Sequence, residues 1–114
     1  MQSKVNKAYK LGDKTFSCPV ALASNAINGK WKLQIINHLS VSGILRFGEL
    51  KKKIGDVSEK MLIQHLKELE NDRLIVRTVY PVVPPKVEYS LTNRGKAFKP
   101  VIDAMRVWGN AFSD

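Results

Sequence analysis

Apolar residues recur at Leu62, Leu66 and Leu69 within Ser58-Glu59-Lys60-Met61-Leu62-Ile63-Gln64-His65-Leu66-Lys67-Glu68-Leu69-Glu70. At about 100° per residue the three leucines fall within about 60° of one another and form one apolar stripe on a helix. Ser58 suits the N-cap, because its hydroxyl can accept a hydrogen bond from an unpaired amide of the first turn. The helix is expected to end near Asn71-Asp72-Arg73. Opposite the stripe lie Lys60, Gln64 and Lys67, flanked by Met61 and Ile63, with Glu59 and Glu70 pointing sideways and Glu68 at the margin. Upstream, Phe47, Leu50 and Ile54 lie at i, i+3 and i+7, so a short helix opens at Arg46-Phe47, and Gly55-Asp56-Val57 makes the turn. A short glycine-containing turn between two short helices is the helix-turn-helix spacing, which makes the second helix the recognition helix.

Periodicity orders the rest of the chain. Pro19 suits the first turn of a helix through about Asn28, with Leu22, Ala26 and Ile27 inward. Trp31, Ile35, Ile36 and Leu39 sit at core spacing in a helix over about 30–39, and Ile44-Leu45 fits a very short strand. Residues 74–80 and the alternating 86–91, with Val87, Tyr89 and Leu91 on one face, predict two strands joined by Pro81-Val82-Val83-Pro84-Pro85. This stiff hairpin projects, and a lysine at its tip, Lys86, is placed to reach phosphate or the minor groove. Thr92 is expected to cap one long last helix, kinked at Pro100. Little core remains for that helix, so Phe98, Val101, Ile102, Met105, Trp108 and Phe112 are expected in a dimer interface, with docking on the first helices of the same chain as the alternative. Residues 1–17 are lysine-rich with isolated Val5, Tyr9, Leu11 and Phe16, receive no firm structure, and are read as an arm associated with the dimer.

Composition narrows the partners. A chain of 114 residues with 44% hydrophobic content is one domain, long enough to bury roughly two-thirds of its unfolded surface. No apolar run approaches the ~20 residues of a membrane span, residues 1–7 lack the apolar core of a signal peptide, and one cysteine cannot form an internal disulfide. A cytoplasmic location follows as the expectation. The net charge of +9 calls for a polyanionic partner or an anionic membrane surface. Residues 30–60 hold seven basic against three acidic residues, whereas 61–90 are balanced. The excess thus precedes the recognition helix and reaches its first turn, where phosphate-positioning contacts are wanted, and Lys30, Lys51, Lys52, Lys53, Ser58 and Lys67 are the candidates. Lys60 and Gln64, with Met61 and Ile63 beside them, have the residue types that read base edges. The competing reading is a solvated face, since residues 58–72 are net acidic.

His38 and His65, with one cysteine, give no zinc-ligand spacing, and the chain has neither a glycine-rich phosphate loop nor a nucleophile, base and orienter set. No metal, cofactor or catalysis is expected. His65 lies at one edge of the recognition helix, either meeting a sugar or phosphate, solvated, or packed on the flank.

The element order is that of a winged helix, an α+β and mainly α fold with a two-stranded β-hairpin wing and terminal dimerisation helices. Its expected division is an arm over 1–17, a winged helix-turn-helix core over 18–91 and a C-terminal dimerisation helix over 92–114. Several stretches closely resemble the HxlR-type transcriptional regulators, relatives of the MarR group. They are Cys18-Pro19-Val20, Gly29-Lys30-Trp31, Arg46-Phe47-Gly48-Glu49-Leu50, Ser58-Glu59-Lys60-Met61-Leu62 and, most specifically, residues 78–92 from Thr78 through the proline-rich loop to Val87-Glu88-Tyr89-Ser90-Leu91-Thr92. The resemblance covers about residues 18–109. It implies a homodimeric regulator that binds a palindromic operator in double-stranded DNA, with Lys86 and Arg77 of the wing near the backbone or minor groove, and repression is the expected outcome where the operator overlaps the promoter. It also implies a glycine after the recognition helix, where this chain has Arg73. Some members sense oxidants or electrophiles through a cysteine before the Pro-Val pair, the position of Cys18; the bland reading of Cys18 is a small buried hydrophobe. A small-molecule effector between the dimer helices is a further reading. The alternative function is a winged-helix protein-interaction module without DNA specificity.

Overall fold

The computed structural model describes residues 7–114. The arm read over 1–17 lies partly outside the described residues, and its second half is structured after all. Tyr9–Leu11 (β1) and Lys14–Phe16 (β2) pair as an antiparallel hairpin closed by Gly12-Asp13. Gly12 has a φ of 62°, and a Cβ there would meet the Asn71 carbonyl oxygen at 2.8 Å, so the turn needs glycine for both conformation and space. Leu11 is fully buried, which makes the hairpin part of the core.

Pro19–Ala26 (α1) begins at Pro19, whose missing N–H would be unpaired in a first turn anyway. Lys32–Ser42 (α2) follows and buries Ile35, Ile36 and Leu39. The short strand Ile44–Arg46 (β3) leads into Phe47–Ile54 (α3), where a Glu49 carboxylate oxygen accepts the Arg46 backbone N–H at 2.8 Å. Glu59–Asn71 (α4) starts as expected, with the Ser58 hydroxyl accepting from the Met61 N–H at 3.1 Å. Ile75–Tyr80 (β4) and Lys86–Leu91 (β5) form the wing, and the sheet order is β3-β5-β4, antiparallel throughout.

The close of α4 explains the direction of the wing. Arg73 takes a φ of 61°, the left-handed conformation that glycine takes most cheaply. The Leu74 N–H reaches the Leu69 carbonyl at 3.0 Å and the Arg73 N–H reaches the Glu70 carbonyl at 2.9 Å. These are the paired bonds of a Schellman helix end, completed by contact of the buried Leu69 and Leu74 with the core. The Thr92 hydroxyl then donates to the Arg73 carbonyl at 2.7 Å, tying the end of the wing to the end of α4.

The single kinked C-terminal helix is corrected to two helices. Thr92 caps only Asn93–Lys96 (α5), its hydroxyl accepting the Gly95 N–H at 3.0 Å, and Lys99–Asn110 (α6) starts afresh. Pro100 stands in the first turn of α6, where a proline ring is tolerated, so it helps to begin a helix and does not bend one. The core gathers around α2 and the leucine face of α4, with Leu45, Leu50, Val57, Ile75, Tyr89 and Leu91 closing it. Ile102 and Phe98, expected between subunits, pack into this chain's own core.

Candidate nucleic-acid interface

The inner face of α4 fixes the outer one. Leu62, Leu66 and Leu69 are at most 2% exposed, and the opposite side presents Lys60, Gln64 and Lys67 to solvent, with Met61 and Ile63 exposed on the flanks. Three buried leucines of about 1.5–3 kcal/mol each make rolling of the helix costly. Gln64 is not covered by other side chains; its amide nitrogen lies 3.5 Å from a Glu68 carboxylate oxygen.

Below that strip a charged cluster joins α4 to α2. Lys32, a residue outside the expected site, is 6% exposed and places its ammonium 3.2 Å from Glu68. His65 is packed on the flank, 7% exposed, with its Nδ1 also 3.2 Å from Glu68, so it is neither solvated nor free to meet a phosphate. Burial alone would raise the Glu68 carboxyl, but hydrogen bonds from Lys32, His65 and Gln64 and the Lys32 charge outweigh it and hold the group below the usual carboxylate range. A second cluster holds the other end of α4. Asp72 is buried and lies 3.2 Å from the Lys14 ammonium of the N-terminal hairpin. On α2, burial and then the Lys53 charge lower the His38 imidazole.

The cations are distributed around α4. Lys52 and Lys53 are exposed, Lys51 is half-buried, and the exposed Lys30 holds its ammonium 4.6 Å from the centre of the Trp31 ring. Ser58 is exposed, but its hydroxyl is occupied as a cap. Arg77 is exposed and lines a cleft of about 570 Å³ between α4 and the wing, together with Glu59, Ile63, Lys67, Glu70 and Tyr89. Lys86 differs from expectation. It opens β5 opposite Tyr80, as a strand over 86–91 requires, but its charge is not free at the tip: the ammonium lies 3.5 Å from Glu88 and 4.7 Å from the Tyr80 ring centre. The tip itself, residues 81–85, is uncharged and exposed, and the Glu88 carboxylate pushes the Tyr80 phenol upward.

Away from this face, Val101, Met105, Trp108 and Phe112 follow one another at i, i+4, i+7 and i+11 and are all exposed, with the Trp108 and Phe112 ring centres 4.8 Å apart. Trp108 therefore does not dock on the first helices of its own chain. Cys18 is a free, exposed thiol at the N-cap position of α1, which rules out the reading of it as a buried hydrophobe within the chain. Among the described residues, no helix is long and apolar enough to cross a membrane.

Comparison with known proteins gives the arrangement its context. The family described as HxlR-like helix-turn-helix matches residues 26–114. The chain is 46% identical over 94 residues to a protein of Fusobacterium mortiferum that carries the name of a regulatory protein, MalR, covering 82% of this chain and 89% of that one. Among solved structures it is similar to a transcriptional regulator of Porphyromonas gingivalis W83 assigned to the MarR family, with a TM-score of 0.79, 45% identity and coverage of 84% of this chain and 93% of that one. It is similar also to the redox regulator HypR in its oxidised form, with a TM-score of 0.78, 40% identity and coverage of 85% and 99%. These relatives are regulators and not enzymes. The chain belongs to the HxlR-like helix-turn-helix family of transcriptional regulators.

Proposed function

We propose that the chain acts in the cytoplasm as a homodimer, binds a palindromic operator in double-stranded DNA, and represses transcription where that operator overlaps a promoter. The observation that carries this reading is the joint exposure of Lys60, Gln64 and Lys67 opposite the buried leucines of α4. Dyad-related α4 helices would enter successive major grooves about 34 Å apart. Lys60 and Gln64, with Met61 and Ile63, meet base edges; Lys30, Lys51, Lys52, Lys53, Ser58 and Lys67 approach phosphates; Arg77 and Lys86 serve the wing side. The exposed stripe Val101, Met105, Trp108 and Phe112 supplies the interface, because burying it against a second copy removes large apolar groups from water.

An oxidant or electrophile is the proposed signal. Cys18 is exposed, and a structural relative, HypR, is described as a redox regulator. With one cysteine in the chain, oxidation joins Cys18 to a second copy's Cys18 or to a small thiol, two thiols giving up two electrons and two protons to the oxidant. Operator affinity should change on oxidation, and Cys18→Ser should not respond. An unaltered response of Cys18→Ser would remove the sensor role. A second reading, a protein-interaction module, draws on the exposed Met61 and Ile63 beside Glu59 and Glu70.

Binding measured on the DNA upstream of the gene and on random duplex, between about 50 and 200 mM salt, separates the two readings. A DNA-reading dimer prefers one sequence and loses affinity steeply with salt. Equal affinity for random duplex, insensitive to salt, favours the interaction module.

A further inference from the structure

Two large apolar side chains are exposed on the α4 surface that otherwise carries Lys60, Gln64 and Lys67. Met61 is 37% and Ile63 40% exposed, on opposite flanks of the polar strip. Ile63 is held on the wing side, where it lines the cleft with Phe47, Arg77, Val87 and Tyr89. Met61 stands on the other flank and its backbone N–H is fixed by the Ser58 cap. Both fall in the first turns of α4, the part of a recognition helix that reaches base edges. In a major groove the base edges offer hydrogen-bonding groups and one apolar feature, the C5-methyl group of thymine. Gln64, between the two in angular position, has the geometry to pair with adenine N6 and N7.

Resting on the proposed DNA reading, we propose that Met61 and Ile63 read thymine methyl groups on either side of an adenine met by Gln64, so that the centre of each half-site consists of A·T pairs. Phosphate contacts alone would position the protein on any duplex; the two apolar flanks add thymine to the bases that Lys60 and Gln64 read. Burial of one methyl group between such side chains and the thymine corresponds to about fourfold in affinity.

The experiment selects bound duplexes from a random pool with the full chain, then replaces each selected thymine in turn by deoxyuridine, which removes the methyl and keeps the base pairing. Two positions in each half-site should lose about fourfold in affinity. Met61→Ala should abolish that sensitivity at one of them and Ile63→Ala at the other, while both variants keep sensitivity at the remaining position, which a general loss of fold would not leave. Tolerance of deoxyuridine at every position, sensitivity that persists at both positions in both variants, or enrichment of a G·C centre overturns the inference and leaves the DNA reading standing. Enrichment of no sequence at all overturns both.

Discussion

Arg73 takes the left-handed conformation at the close of α4, where a side chain costs about 1–2 kcal/mol that glycine does not incur. The cost is accepted because the paired bonds to Leu69 and Glu70 turn the chain directly into the wing. Arg73→Gly should therefore raise stability by about 1 kcal/mol in denaturant unfolding, and a loss of stability would show that the arginine side chain does more than occupy the turn. That a tight turn belongs here was legible only through the family resemblance, which implies a glycine at the position of Arg73. The fate of individual charges was not. Lys86 reads as a free cation beside the tip even though β5 is expected to begin there, because strand alternation shows which face a residue takes and not which charge it pairs with; in the fold Glu88, two residues on along the same strand, shares its charge. Lys86→Ala should weaken binding to all duplexes alike, by less than the loss of an unpaired phosphate contact, as titrations on several unrelated duplexes would report. Lys32 is not singled out by its sequence, and the flank packing of His65 is one of three open readings, until α2 and α4 meet over Glu68.

At the scale of elements, periodicity located α3, α4 and β5 because each turns its apolar face towards the core, so the hydrophobic spacing and the geometry coincide. The N-terminal hairpin escaped because its strands are three residues each, too short to show alternation, although Gly12-Asp13 between Leu11 and Lys14 is a recognised turn signal. The break between α5 and α6 escaped because Pro100 suits a kink and a first turn equally well. The joint between α2 and α4 carries a pH dependence. Glu68 is held below its usual range in the fold, so its contribution is present in full above the ordinary glutamate value of about 4.3 and is lost as pH falls through the lower folded value. Because the Glu68 side chain is 41% exposed, that contribution is a screened one. In thermal melts taken across the acid range, the parent chain should lose its advantage over Glu68→Gln as pH falls. Parallel pH profiles for the two would mean that Glu68 gains nothing from Lys32 and His65.

Among the described residues, the outer strip of α4 and the apolar stripe carried by α6 both face solvent. A dimer built on the second would present the first in duplicate, as a two-fold symmetric operator requires. Trp108→Ala should leave the fold intact, since the ring is 71% exposed, while shifting sedimentation towards monomer and lowering operator affinity together. An unchanged sedimentation coefficient would place the interface elsewhere. The most direct test of the central claim, that the outer strip of α4 reads DNA, is the affinity of Gln64→Ala and of the parent chain for a set of single-base variants of one bound site. Gln64→Ala should lose discrimination at one or two base pairs in each half-site and keep it at the others; identical discrimination by both proteins at every base pair would contradict a DNA-reading role for this strip.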